Sequence, residues 1–544
     1  MFVPAFVSLS QTLSAALGHI SFPTSGAAAA QPPFVRGVLF LHSFEYDEAI
    51  DQFRQAQKID PGFAMAYWGE ALAYDQPLWL NEAPDRARAV LARLAPTRGA
   101  RQAKAPTARE KGYLDAVERL YGDGDRASRV RAYAQRMGEL HAAFPEDDEA
   151  AAFYALALLA TIPPTERNPA VSLQAGNIAL AILKKNPEHP GAAHYALHAF
   201  DDGEHAAMGL QAARIYARIA PASSHARHMP SHVFLPLGMW DEAAASDESA
   251  FAASVDLAKR KGLSASQYDF HALSWLQYEY LQQGRFEKAR GAMREVERAI
   301  ASGLPSEARA NDPRAKADGS GRPGGEMHAH VESEIGKGYG ETSLKSELAS
   351  MKARLVVESG DWAQMKGQGS FDNIDELYAL GAASVKLADT DRANAALEHL
   401  DTASKTVPDA DARAVARIMA IELDGLVRRA RGDRAGALTA FAAAAAGEAK
   451  RPKPIARPYP IKPAGELYGE ALLEIGDAAG AVAQFQAALA RTPRRAASLL
   501  GLARAAKKAG QREVAVKAAK DFLAAWHLAD AGRPEIAEAR ALAR

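Results

Sequence analysis

Two segments of this chain, lying more than four hundred residues apart, carry the same residue types at the same intervals. The first runs through Gly37, Ala49, Phe53, Ala56 and Pro61, and the second through Gly469, Ala481, Phe485, Ala488 and Pro493, both at offsets of 12, 16, 19 and 24 from the glycine. A third, Gly425, Ala437, Phe441 and Ala444, keeps step with them. Small residues at fixed spacing suit the crossing of two helices, an aromatic fills the gap to the neighbour, and proline ends the second helix. A period of this kind predicts stacked helix-turn-helix units, each burying its apolar face against the next.

The turns agree with that register. Phe44-Glu45-Tyr46-Asp47, Leu237-Gly238-Met239-Trp240-Asp241, Gln283-Gly284-Arg285, Arg431-Gly432-Asp433 and Ile475-Gly476-Asp477 each precede a helix, typically with glycine closing one helix and aspartate opening the next. Alternating strand patterns are missing, and windows such as Ala437 to Ala449 are strong helix formers. The expected fold is all-α, a superhelical solenoid.

The 48% hydrophobic content is enough for a large core. Lys+Arg 65 against Asp+Glu 66 leaves a net charge of -1, which gives no bulk electrostatic case for nucleic acid. No apolar run is long enough to span a bilayer. Residues 1–16 are apolar and uncharged, and read either as part of an export signal, which implies a periplasmic protein, or as a frayed helix of a cytoplasmic one. The array is then expected over 17–302, a Gly/Pro-rich loop over 303–342, further helices over 343–450, a proline-rich connector over 451–463 and the last repeats over 464–544.

With no cysteine, a metal ion would have to sit on His, Asp or Glu. Eight of the 15 histidines fall between His189 and His271. His194 and His198 are four apart, which puts both imidazoles on one helix face, and His228 and His232 repeat the spacing exactly one 34-residue period later. His19, His42, His141, His399 and His527 read as ordinary surface or packing residues, and His328 and His330 sit on the long loop. No phosphate loop, HExxH zinc motif or GxSxG elbow is present.

The repeat pattern resembles that of tetratricopeptide repeat proteins over nearly the whole chain. More narrowly, FAMAYWGEALAYDQPLW, HYALHAFDD and HARHMPSHVFLPLGMWDEA are similar to a bacterial, often exported subgroup with a His-rich HxxHMPSH segment. The resemblance implies that the second, fifth, ninth and twelfth residues of each first helix line a concave groove. Those columns take in His194, His198 and Asp201 in one unit, His225, His228 and His232 in the next, and His271 in the one after. Pro230 should kink or start a helix within HMPSH, which bears on how His225 and His228 face.

Two functions follow as expectations. In the first, His194, His198, His228 and His232 are the core of a transition-metal site, copper or zinc before iron or nickel, with His225, His271 and Asp201 as further ligands or orienting partners. An open coordination position would make the protein an enzyme, and a closed one would make the ion structural or cargo. In the second, the groove takes a peptide or protein, anchored by Trp240, Tyr268, Trp275, Tyr278 and Tyr280. Oligomeric state leaves no trace in the sequence.

Overall fold

The computed structural model describes residues 17–163, 166–221, 223–304, 339–367 and 372–544. Nearly all secondary structure in them is helical. Residues 1–16, most of the 303–342 stretch, and His328 and His330 lie outside the described set. None of the described helices is long and apolar enough to cross a membrane.

The recurring glycines and phenylalanines explain each other. A Cβ on Gly37 would lie 2.7 Å from the Phe53 ring, on Gly425 2.5 Å from Phe441, and on Gly469 3.2 Å from Phe485. The aromatic of the second helix therefore occupies the space a side chain on the first would need. Aspartates cap the second helices: Asp433 accepts from the Gly436 amide and Asp477 from the Gly480 amide. This packing makes the fold all-α, built from stacked helix-turn-helix repeats.

The chain divides into two compact units. Among the described residues, the first takes 17–201 and 205–233, and the second takes 202–204 and those from 234 onward. In the first unit, Gln31–His42 pairs with Tyr46–Ile59, Ala108–Leu120 with Arg126–Ala143, Asp148–Ala160 with Pro169–Lys185, and Pro190–Ala199 with Leu210–Ile219. A two-residue antiparallel ladder, Asp75–Gln76 with Asn81–Glu82, departs from the strand-free expectation, and Arg126 ties its Asp75 and Glu82 together. The first helix returns against Pro190–Ala199, where a Cβ on Gly191 would collide with the His42 ring at 2.3 Å.

The second unit also brings its ends together. Trp240 donates its indole N–H to the Arg494 carbonyl at 3.0 Å, the Asp530 amide donates to the Gly284 carbonyl at 3.1 Å, and Trp526 packs over Gly284. One apolar cluster accordingly contains Leu235 and Phe270 as well as Leu499 and Phe522. The connector 451–463 is packed into this unit: Arg457 is buried and bonds Ser274 and Glu347, and Lys462 bonds Glu466 and Glu470 at 2.8 and 2.6 Å.

Candidate metal centre

His194 and His198 are the fifth and ninth residues of the helix Pro190–Ala199. Proline at its start and the His189 ring, which accepts the Ala192 amide hydrogen, fix where that helix begins. His225 and His228 are second and fifth in the short helix Ser224–His228, which Ser223 caps. The expected break at Pro230 is present, since a separate helical turn, Ser231–Phe234, carries His232. Asp201 lies two residues beyond the end of its helix.

The structure gathers these side chains into two groups within the first unit. In one, the His194 Nε2 lies 2.8 Å from the His225 Nε2 and 3.0 Å from the His198 Nε2. The His194 Nδ1 is 2.7 Å from the backbone carbonyl oxygen of His42. A carbonyl oxygen only accepts, so Nδ1 carries the proton and Nε2 presents its lone pair. Burial and the nearby His225 hold the His194 pKa well below the ordinary imidazole value, which keeps this ring neutral. One lone pair cannot accept well from two N–H groups at once. Three imidazole nitrogens around a tetrahedral ion at the usual 2.0–2.1 Å would stand about 3.3 Å apart, and the two spacings from His194, 2.8 and 3.0 Å, lie near that. His194 and His225 are buried and His198 is half-buried, so the group meets solvent on the His198 side.

In the other group, Asp201 Oδ2 accepts from His232 Nδ1 at 2.9 Å, which turns the His232 Nε2 lone pair toward the His228 Nε2 at 3.0 Å. Asp201 thus holds a ring in place by its far nitrogen, as carboxylates behind metal-binding histidines do. Ser231 donates its hydroxyl to the His228 carbonyl at 2.8 Å and stiffens the same turn. His271 belongs to the second unit, where it is half-buried on Phe270–Gln282 with its ring 5.3 Å from Trp275. The aromatics suggested as peptide anchors are packing residues of that unit: Trp240, Trp275, Tyr278 and Tyr280 lie in its core, with Tyr268 packed against them.

A third group escaped the sequence reading. His42, expected to be an ordinary isolated residue, is fully buried with Glu149 and His189. Its Nε2 is 2.7 Å from Glu149 Oε2, its Nδ1 is 2.8 Å from the Tyr195 hydroxyl, and His189 Nε2 is 3.2 Å from Glu149 Oε1. These contacts assign the protons. His189 Nδ1 accepts the Ala192 amide hydrogen, so its Nε2 is protonated and cannot also bind a metal ion. His42 likewise gives its Nε2 proton to Glu149 and accepts from Tyr195 on the other nitrogen. Burial lowers the His42 pKa against the pull of Glu149. Burial alone would raise the Glu149 carboxyl, but His42 and His189 outweigh it and hold the group below the ordinary carboxylate range. This trio is a hydrogen-bonded support rather than a metal site, and the His42 carbonyl that orients His194 belongs to it. The signal for it was a histidine and a glutamate beside largely apolar stretches, VLFLH and EAAAFYALALLA.

No protein-family model and no curated sequence matches the chain. Among solved structures it is similar to a chain of the APC/C hetero-tetramer Cut9–Hcn1 at 12% identity and a TM-score of 0.29, over 96% of this chain and 77% of that one. The human IFIT1 dimer with m7Gppp-AAAA gives 12% and 0.31, over 96% and 92%. The TPR domain of P58(IPK) gives 12% and 0.20, over 89% and 99%. The repeat character of the fold rests on the packing described above.

Proposed function

We propose that the first unit binds a transition-metal ion on the Nε2 atoms of His194, His198 and His225. The observation that carries this reading is the fixed tautomer of His194, whose bare Nε2 faces two further imidazole nitrogens within 3.0 Å. Three neutral imidazoles without thiolate suit zinc or copper(II). Three protein ligands leave a fourth position for water or a small molecule, the arrangement found in reactive rather than structural zinc sites. His228 and His232, with Asp201 behind them, supply a second pair of donors. Their chemistry is the same and their number smaller, so the His194 trio should fill first.

Elemental analysis of protein purified without a histidine tag tests the reading. Near-stoichiometric metal in the parent and its loss in His194→Ala/His198→Ala/His225→Ala supports it, while metal-free parent after incubation with zinc or copper sinks it. His228→Ala/His232→Ala should keep the higher-affinity equivalent. Export is part of the proposal, and cell fractionation decides it.

Helical repeats also serve as scaffolds for protein or peptide ligands. In the second unit, however, side chains that an incoming peptide could use are already engaged by the chain's own segment 451–463, through Arg457 to Ser274 and Glu347. An extended partner there would have to displace that segment. The metal reading therefore has the more specific support.

A further inference from the structure

The turn joining Gln31–His42 to Tyr46–Ile59 is built like the other turns between paired helices. The residue just before the second helix donates its amide to a carbonyl five residues back: Glu45 to Phe40, Arg285 to Tyr280, Asp433 to Arg428, Asp477 to Leu472 and Gln511 to Ala506. The residue before that donor takes a left-handed backbone. At positions 284, 432, 476 and 510 it is glycine with φ between 70° and 91°, and Gly238 does the same at 67°. Ala388 adopts φ 60° with an exposed methyl. Only the first of these turns places a bulky side chain there, Phe44 at φ 60°. A Cβ disfavours this conformation, so a phenylalanine held in it directs attention to what its ring touches.

That ring touches all three candidate ligands. Its centroid lies 4.2 Å from His194, 5.7 Å from His198 and 5.9 Å from His225, and it is braced edge-on by Trp79 at 4.9 Å. Phe44 also lines a small apolar chamber with Leu41, Leu72, Phe153 and Leu156. The chamber measures about 20 Å³, which is room for one water-sized molecule. Its lining also includes Tyr46, Asp75 and Tyr133, and the buried Tyr46 hydroxyl has no hydrogen-bond partner among the described residues.

Resting on the metal reading above, we infer that Phe44 is a specificity-determining residue of that centre. It walls the ion's fourth position and admits only ligands the size of water, dioxygen or a small linear anion. It binds nothing itself. The strained backbone is retained because glycine, which the turn prefers, would leave that face open.

The test uses full-length protein loaded with cobalt(II) or copper(II), with metal content measured before any ligand is added. Azide and imidazole are then titrated against the ligand-field absorption of the parent, Phe44→Gly and Phe44→Tyr. Glycine is at home in this turn, so Phe44→Gly should fold, and circular dichroism and thermal unfolding check that it does. Expected are equal metal content in all three, azide binding in all three, and imidazole binding at least tenfold tighter in Phe44→Gly than in the parent or Phe44→Tyr. Equal imidazole affinity in parent and Phe44→Gly overturns the inference, as does loss of metal from a folded Phe44→Gly, which would make the ring a packing element only. A parent that takes up no metal fails at the first step and sinks the metal reading itself.

Discussion

Glu149 is a carboxylate fully enclosed by protein, bonded by the His42 N–H at 2.7 Å and approached by the His189 Nε2 at 3.2 Å. Removing it as Glu149→Ala leaves those donors buried without an acceptor and should cost about 3 kcal/mol in urea unfolding. Its pKa in the folded protein, held down to about 2 from 4.5, sets the sign of a pH effect. The stabilisation is complete at neutral pH and is lost as pH falls from 4.5 toward 2, so the parent should lose more stability over that interval than Glu149→Ala. Glu422 in the second unit behaves oppositely. Burial, with the Glu448 carboxylate nearby, pushes its pKa well above 4.5, and neither oxygen has a hydrogen-bond partner among the described residues. The folded state keeps a proton that the unfolded chain releases, so stability declines as pH rises above 4.5 toward the folded pKa. Glu422→Gln should remove that decline, leaving stability near pH 4 unchanged and raising it near pH 9, as read by thermal unfolding. The spacing of His194 and His198 was legible because four residues are one helical turn. The bond from His42 to Glu149 was not, because 107 residues separate the two and no local period connects them.

At the scale of helices, the glycines separate into those that make room and those that merely permit. A Cβ on Gly69 would stand 2.3 Å from the Phe53 ring, with the ring wedged between two helices and unable to retreat. Gly69→Ala should therefore destabilise the first unit by about 1–3 kcal/mol. Gly99 sits exposed on Arg98–Lys104 with nothing within 4 Å of its would-be Cβ, so Gly99→Ala should add about 0.5 kcal/mol. Chemical denaturation of the two variants side by side checks the contrast. The repeats were readable from sequence for the same reason: Gly37 and Phe53 constrain each other, so their spacing records a contact. Phe44 was visible only as a turn residue. Its departure from the glycine of the sister turns gains meaning once its ring is found against three histidines.

At the scale of a whole unit, the second is held shut by Arg495, buried at 1% exposure between the first and last repeats. It bonds Glu466 and Glu358 at 2.8 and 2.6 Å and reaches the Tyr278 hydroxyl at 3.3 Å. Arg495→Ala leaves the buried Glu358 carboxylate without its ion-pair partner and Glu466 with Lys462 as its remaining cation, and should cost about 3–5 kcal/mol. Hydrogen exchange should then speed up together in Phe270–Gln282 and Ala496–Lys508, although more than two hundred residues separate them. An array open at both ends would show the change only near the substitution. This closure is what the sequence could not show, because the period fixes how each repeat meets the next and says nothing of how the last meets the first. It also bears on how such a chain can change over generations. Repeat arrays ordinarily lengthen and shorten by duplication, since a newcomer has only to match its two neighbours. Here an added 34-residue copy would part Trp240 from Arg494 and Trp526 from Gly284. The number of repeats in this unit is thus locked by its own circumference, and inherited variation is confined to substitutions and to loops that lie off the ring.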